Sequence, residues 1–177
     1  MIDKNEAHHG RQPNQKLKPY LVLEFLRKET DENNVATATE IVAYLENDCG
    51  IHAERRSIYR DIQEVNKAFL IIEEECTAEE AEKMLEEEGA DDRKMVRYDP
   101  VRRGFYVQGR HFDLTDIQLL AECIYAARFI TEGQSKRLLD VICDLSSRYE
   151  ASRLKYSILL TDRIKTHNRS VFNNCCH

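Results

Sequence analysis

The apolar positions of this chain keep a helical rhythm that is broken once, between residues 94 and 108, by a short alternating one. Leu17, Tyr20, Leu21, Leu23, Phe25 and Leu26 give an apolar face to a first helix, which starts near Lys16 and runs out in the polar loop Glu29 to Asn34. Ile41, Val42, Tyr44 and Leu45 mark a short second helix. Ahead of it, Thr37-Ala-Thr-Glu40 fits a capping box, and Asn47-Asp-Cys-Gly50 is a natural stop. A third helix is predicted over 53–69, with Ile58, Ile62, Val65 and Phe69 as its apolar stripe. Leu70-Ile-Ile72 then reads as strand. Ala78, Ala81, Met84 and Leu85 keep helical spacing inside an otherwise acidic block. Lys94 to Asp99 and Phe105 to Gln108 flank Pro100-Val-Arg-Arg-Gly104 as a β-hairpin. Asp113-Leu-Thr-Asp116 opens a long helix carrying Ile117, Leu120, Ala121, Ile124, Tyr125, Ala127 and Phe129, predicted to end at Gly133. A further helix holds Leu138, Leu139, Val141, Ile142 and Leu145. Residues 1–14 are polar and read as a frayed tail, and residues 151–177 carry Leu154, Tyr156, Ile158, Leu159 and Leu160 before a polar end.

A short helix, a glycine turn, a helix with basic exposed positions and then a hairpin is the order of a winged helix-turn-helix. The expected class is therefore α+β and mainly helical. Residues 15–110 would form the winged domain, with an acidic insertion at 73–92, and residues 111–177 a helical linker. The helices within 114–145 carry more apolar surface than a helical hairpin covers by itself, so a homodimer through that segment is expected.

Charge sharpens this picture. Arg55, Arg56, Tyr59, Arg60 and Gln63 fall largely off the apolar stripe of the third helix, and arginine forms bidentate contacts to guanine edges and phosphates. The net charge of −6 would by itself argue against a polyanion partner, but it is unevenly spread. Residues 73–92 hold 11 acids and one lysine, whereas residues 93–177 hold 15 bases against 9 acids. One acidic block thus conceals a mildly basic remainder. That block reads either as a solvated insertion or as a DNA mimic covering the basic face.

Three segments carry a resemblance: Arg56-Ser-Ile-Tyr-Arg-Asp-Ile62, Arg103-Gly-Phe-Tyr-Val107, and Phe112-Asp-Leu-Thr-Asp-Ile-Gln-Leu-Leu120. Together they resemble the N-terminal part of the WYL-domain transcriptional regulators, which have a DeoR-like winged helix-turn-helix, a helical linker and then a ligand-sensing WYL domain. The likeness implies recognition-helix contacts from Arg56, Ser57, Tyr59 and Arg60, and wing contacts from Arg102 and Arg103. It gives Asp61 a nearby base as partner. Residues 162–173 resemble the run leading into the WYL domain, but no tryptophan and no Trp-Tyr-Leu sequence occurs, so the sensing domain itself is absent from this sequence.

Other classes find less support. No GxGxxG, Walker, GxSxG or HExxH motif occurs, His8 and His9 fall in the tail, His52 sits just before the third helix where a DNA contact is expected rather than acid–base work, and His111 and His167 have no nucleophile or carboxylate at a motif spacing, so no enzyme is expected. The six cysteines show no CxxC pair and read as reduced thiols, with Cys123 and Cys143 as small core residues. Cys175-Cys176-His177 offers soft-metal donors but no second ligand group, so neither a metal nor another cofactor is expected. No apolar run reaches the ~20 residues of a membrane span and the N-terminus has no signal core, which makes the cytoplasm the expected compartment. Without paired aromatic platforms, double-stranded DNA is the expected partner rather than RNA or single strands. A protein-interaction module built on the same scaffold is the alternative.

Overall fold

The computed structural model describes residues 14–159, apart from residues 109, 111 and 128 and the side chains of 156–159. The expectations placed on residues 1–13, on His111, on Tyr156, Ile158, Leu159 and Leu160, on residues 162–173 and on Cys175, Cys176 and His177 lie outside them. The described residues form seven α-helices and one two-stranded antiparallel sheet: α1 (Lys18–Glu29), α2 (Ala38–Asn47), α3 (Arg55–Glu73), α4 (Ala78–Glu86), β1 (Val96–Asp99), β2 (Gly104–Val107), α5 (Leu114–Ala126), α6 (Glu132–Cys143) and α7 (Arg148–Leu159). The class is α+β and mainly helical.

Two hydrophobic clusters organise the chain. The first joins α1, α2, α3 and the hairpin around Val22, Leu26, Ile41, Leu45, Ile58 and Phe105. The second joins α5, α6 and α7 around Ile117, Ala121, Leu139, Cys143 and Leu154. Helix starts follow local chemistry. Thr37 and Glu40 close their capping box, with Glu40 N–H donating to Thr37 Oγ1 at 3.3 Å and Thr37 N–H to Glu40 Oε2 at 2.7 Å. Thr77 with Glu80, Asp113 with Asp116 and Thr131 with Gln134 repeat the device. Gly50 stops α2 in the left-handed region, at φ 65°.

Several expectations are corrected. Leu70-Ile-Ile72 is not strand: α3 runs on to Glu73, because Leu70 lies two helical turns beyond Ile62 and continues the buried stripe. Gly133 does not end α5. Helix α5 stops at Ala126, Ala127 and Phe129 lie beyond it, and the Thr131 cap puts Gly133 in the first turn of α6. Leu17 and Tyr20 do not join the apolar face of α1. Leu17 precedes the helix in a 3-10 turn, and Tyr20 is 63% exposed. Cys143 is buried as expected, but Cys123 is exposed, because it sits about 200° around α5 from Ala121, the position that faces the core.

Among the described residues the hairpin has no third strand beside it, yet both its edges are covered. Val96 faces Val107 as a non-hydrogen-bonded pair, so the backbone groups of both residues point away from the partner strand. The side-chain amide of Asn66 on α3 meets both groups of Val96. Its Oδ1 accepts from Val96 N–H at 2.8 Å, and its Nδ2 donates to Val96 C=O at 2.9 Å. On the other edge, Ala36 exchanges two backbone bonds with Phe105, and Thr30 Oγ1 accepts from Val107 N–H at 3.2 Å. This edge is tight. A Cβ on Gly104 would lie 2.6 Å from Val35 Cγ2 and 3.0 Å from the Ala36 carbonyl oxygen. Gly104→Ala should therefore destabilise the fold by about 1–3 kcal/mol through overpacking. Urea titration should show the midpoint falling at unchanged slope.

The two clusters meet at the loop after α1. Asp31 is buried there, and its Oδ1 accepts from the backbone of Asn33 and Asn34 and from the Asn34 side chain, while its Oδ2 accepts from Ser147 Oγ at 2.6 Å. Burial alone would push this carboxyl up, but the bonds from Ser147, Asn34 and Asn33 together hold it below its usual 3.8. A depressed folded value means that this group stabilises the fold above its unfolded value and stops doing so as pH falls through the folded one. Acid unfolding of Asp31→Asn should therefore be less steep than wild type below about pH 3.8, as followed by circular dichroism.

Candidate nucleic-acid interface

Among the described helices, α2, α4, α5, α6 and α7 place acids in their first turns, where the helix dipole favours them, whereas α3, like α1, has none and opens with Arg55 and Arg56. Glu54, its N-cap, makes no side-chain cap. Cations at this end cost about 0.3–1 kcal/mol each when nothing offsets them. An N-terminus without a side-chain cap and with two exposed arginines in its first turn is electrostatically suited to an anion.

Of the residues singled out in the sequence, Arg55, Arg56, Tyr59 and Arg60 are exposed in the first two turns of α3, whereas Ile58, Ile62 and Val65 are buried; Arg56 and Arg60 lie farthest from that buried stripe. None of the three arginines forms an ion pair among the described residues. Tyr59 also packs edge-on against Phe105 of β2, with ring centroids 5.2 Å apart, and Tyr98 of β1 meets the same ring at 5.1 Å. This aromatic trio seats the hairpin against the N-terminal half of α3. Arg103 stands at the turn of that hairpin, two residues before Phe105.

Ser57 is placed differently. Its hydroxyl donates to the Glu54 carbonyl at 2.8 Å and accepts from Lys18 Nζ at 2.9 Å, so both functions are occupied inside the fold. Lys18 is almost fully buried and also stands 3.2 Å from Asp61 Oδ2. Burial pushes the Asp61 carboxyl up, against the pull of Lys18 and Arg60. The nearby base expected for Asp61 is thus Lys18, and together they tie the start of α1 to the start of α3. Sequence reasoning missed Lys18, whose only signal is a lysine beside the first apolar residues of a helix.

The basic residues of the hairpin divide in the same way. Arg102 is committed internally: its Nε lies 2.7 Å from Asp99 Oδ2 and its Nη2 donates to the Glu32 carbonyl at 2.8 Å. Arg110 caps the end of α1, donating to the carbonyls of Arg27 and Thr30 at 2.6 and 2.8 Å. Arg97 pairs with Asp92 at 3.2 Å. Arg103 is exposed at the turn with φ 55° and forms no ion pair among the described residues.

The acidic block accounts for Arg97 in this division and for further cations beside it. Glu82 holds Lys67, Glu87 holds Arg93, Asp91 holds Lys94 and Asp92 holds Arg97, with α4 fixed on the far half of α3 through the buried Ala81. Positive charge is thereby neutralised at the C-terminal half of α3 and the base of the hairpin. It stays free at Arg55, Arg56, Arg60 and Arg103. Near the turn before α3, His52 Nδ1 stands 2.8 Å from Glu46 Oε1. No group of three or more His, Cys, Asp and Glu among the described residues is placed to hold a metal. No helix among them is long and apolar enough to cross a membrane. No protein-family model, no curated protein and no solved structure matches this chain.

Proposed function

We propose that this chain is a sequence-specific double-stranded DNA-binding protein of the winged helix-turn-helix type, a transcriptional regulator related to the N-terminal part of the WYL-domain regulators. Helix α3 enters the major groove by its first two turns, and the hairpin is the wing. The observation that carries this reading is that Arg55, Arg56 and Arg60 in the first two turns of α3 and Arg103 at the hairpin turn are exposed and form no ion pair among the described residues, while the acidic block pairs with Lys67 and Arg97. Arg55, Arg56, Arg60 and the exposed hydroxyl edge of Tyr59 meet base edges or phosphates. Arg103 meets phosphate, and Ser57 and Arg102 support the contacts from within. Such a regulator works in the cytoplasm, beside its DNA.

A second copy of the chain belongs to this reading. Leu119, Leu120, Leu138, Val141 and Leu145 on α5, α6 and the residues after α6 are exposed, an apolar surface of the kind that subunit interfaces cover. A two-fold dimer through 114–145 would present two α3 helices to half-sites a helical turn or more apart. Light scattering at tens of micromolar should give a dimer mass; a monomer mass removes this part of the proposal.

The protein-interaction reading has one observation in its favour: a groove of about 400 Å³ between α1 and α3, lined by Pro19, Tyr20, Leu23, Val65, Phe69 and Ile72. Selection from a random duplex pool at two salt concentrations separates the two. Enrichment of an inverted repeat, with affinity falling steeply as salt rises, supports the DNA reading. No enrichment and no salt-dependent binding overturns it and leaves the groove as the functional surface.

A further inference from the structure

We infer that the loop of residues 31–34 couples the α5–α7 unit to the placement of the hairpin turn, with Arg102 and Asp31 as positioning residues for Arg103. The inference rests on the DNA-binding reading only for its effect on affinity; the mechanical coupling stands on geometry. Asp99 builds the turn, its Oδ1 accepting from Val101 N–H at 2.8 Å and from Arg102 N–H at 2.9 Å. These bonds, with the Arg102 side chain, hold the Asp99 carboxyl below its usual range. Arg102 then leaves the hairpin altogether and donates to the Glu32 carbonyl. The turn is therefore fixed at its far side by a loop 70 residues away in the sequence.

That loop has a second attachment. Asp31 and Asn34 exchange backbone bonds of 2.9 and 3.0 Å, and the Asp31 carboxylate closes over them, so Glu32 sits in a small rigid frame. From outside the loop, that carboxylate accepts from Ser147 Oγ, in the connection between α6 and α7. Arg148 beside it pairs with Glu29 at the end of α1. A continuous chain of bonds thus runs from Ser147 through Asp31, the Glu32 carbonyl and Arg102 to Asp99, next to Arg103. A further attachment at the same end of α1 is Arg110, which leads from β2 towards α5. Any rearrangement of α6 and α7, by a further segment or by a second subunit, must pull on the frame that holds the turn. Such couplings are carried by packed polar networks of this kind, and they are reciprocal.

Ser147 also caps α7, since its Oγ accepts from Glu150 N–H at 3.1 Å and its own N–H donates to Glu150 Oε2 at 3.2 Å. The test must separate the start of α7 from the relay, so Ser147→Ala is compared with Glu150→Ala, which removes the carboxylate half of the cap and leaves both the Asp31 bond and the Glu150 N–H donating to Ser147 Oγ. Hydrogen exchange by NMR on the full chain, without DNA, reads the Val101 and Arg102 amides. Exchange there should rise at least about fivefold in Ser147→Ala and stay at the wild-type value in Glu150→Ala. Equal exchange in wild type and Ser147→Ala, or an equal rise in both variants, overturns the coupling. Duplex affinity is then measured with each variant in the Arg103 and Arg103→Ala backgrounds. Ser147→Ala should weaken binding when Arg103 is present and add nothing when it is absent, whereas additive losses show that Ser147 does not act through the turn. If exchange responds but even the wild type shows no salt-dependent duplex binding, the coupling holds and the DNA reading falls.

Discussion

Arg56→Ala should weaken binding to the selected operator by about 1–3 kcal/mol, on the order of 5- to 150-fold in Kd, and should relax the base preference at one position of the half-site. Arg56 lies in the first turn of α3, is exposed and forms no ion pair among the described residues. Its removal costs the fold nothing in packing and relieves a cation at the wrong end of a helix dipole. Thermal stability should therefore stay level or rise slightly while affinity falls, a combination that damage to the fold does not produce. Arg103→Ala gives the contrasting signature. Removing a phosphate partner from the hairpin turn weakens all duplexes alike and lowers the slope of log K against log salt by roughly 1, with base preference intact. Arg102→Ala should act indirectly, through the turn. Its guanidinium is committed to Asp99 and to Glu32, so its removal should loosen the turn and reproduce a weaker form of the Arg103 phenotype. Unchanged affinity and base preference in Arg56→Ala, with an operator in hand, would remove α3 from the recognition role.

The elements of this fold were legible where local chemistry sets them. The Thr37, Asp113 and hairpin-turn signals, and the stripe Ile58, Ile62, Val65, name their structures because caps, turns and one-sided burial are properties of short segments. Leu70-Ile-Ile72 misled because β-branched residues favour strand in isolation, while here burial of Leu70 against the core kept the helix going. Gly133 misled because glycine ends helices only at their C-termini, and the Thr131 cap had already begun a new one.

The candidate site was legible as a list of charges and opaque as a partition of them. Nothing in the spacing of Arg97, Arg102, Arg103 and Arg110 tells which side chain turns inward. That depends on where Asp92, Asp99, Glu32 and the end of α1 come to lie, and Glu32 and the end of α1 are far in sequence from the arginines they hold. Ser57 likewise looked like a contact residue because its partner Lys18 is 39 residues away. The acidic block could be read as covering the basic face or as a solvated insertion. Its ion pair with Lys67 sets it against the far half of α3, and those with Arg93, Lys94 and Arg97 neutralise the run into the hairpin, while the arginines of the first two turns of α3 take part in none of them. The proposed docking is confined to the helix N-terminus as much by these acids as by the arginines themselves, since a duplex lying along all of α3 would meet like charge.

That arrangement depends on the hairpin standing beside α3, and the clamp that holds it there yields the second large effect. Asn66→Ala should destabilise the chain by about 2–4 kcal/mol, because it removes both partners of Val96 and leaves a buried N–H and a buried carbonyl unsatisfied. Asn66→Asp separates the two bonds. The carboxylate can still accept from Val96 N–H, but it sets a negative oxygen against the Val96 carbonyl in a buried site. It should be at least as destabilising at neutral pH. Protonation restores a donor, so the folded carboxyl is pushed up and its deficit shrinks as pH falls through that raised value. Urea titration of wild type and both variants at pH 7 and near pH 4.5 reads this directly. A midpoint for Asn66→Ala within a few tenths of a molar of wild type would mean that the Val96 groups find other partners, and that the hairpin is held on α3 by Tyr59 and Phe105 alone. If Asn66 is the clamp, Asn66→Ala should also lose duplex affinity even where it is still fully folded, because the hairpin that carries Arg103 is then no longer held on α3.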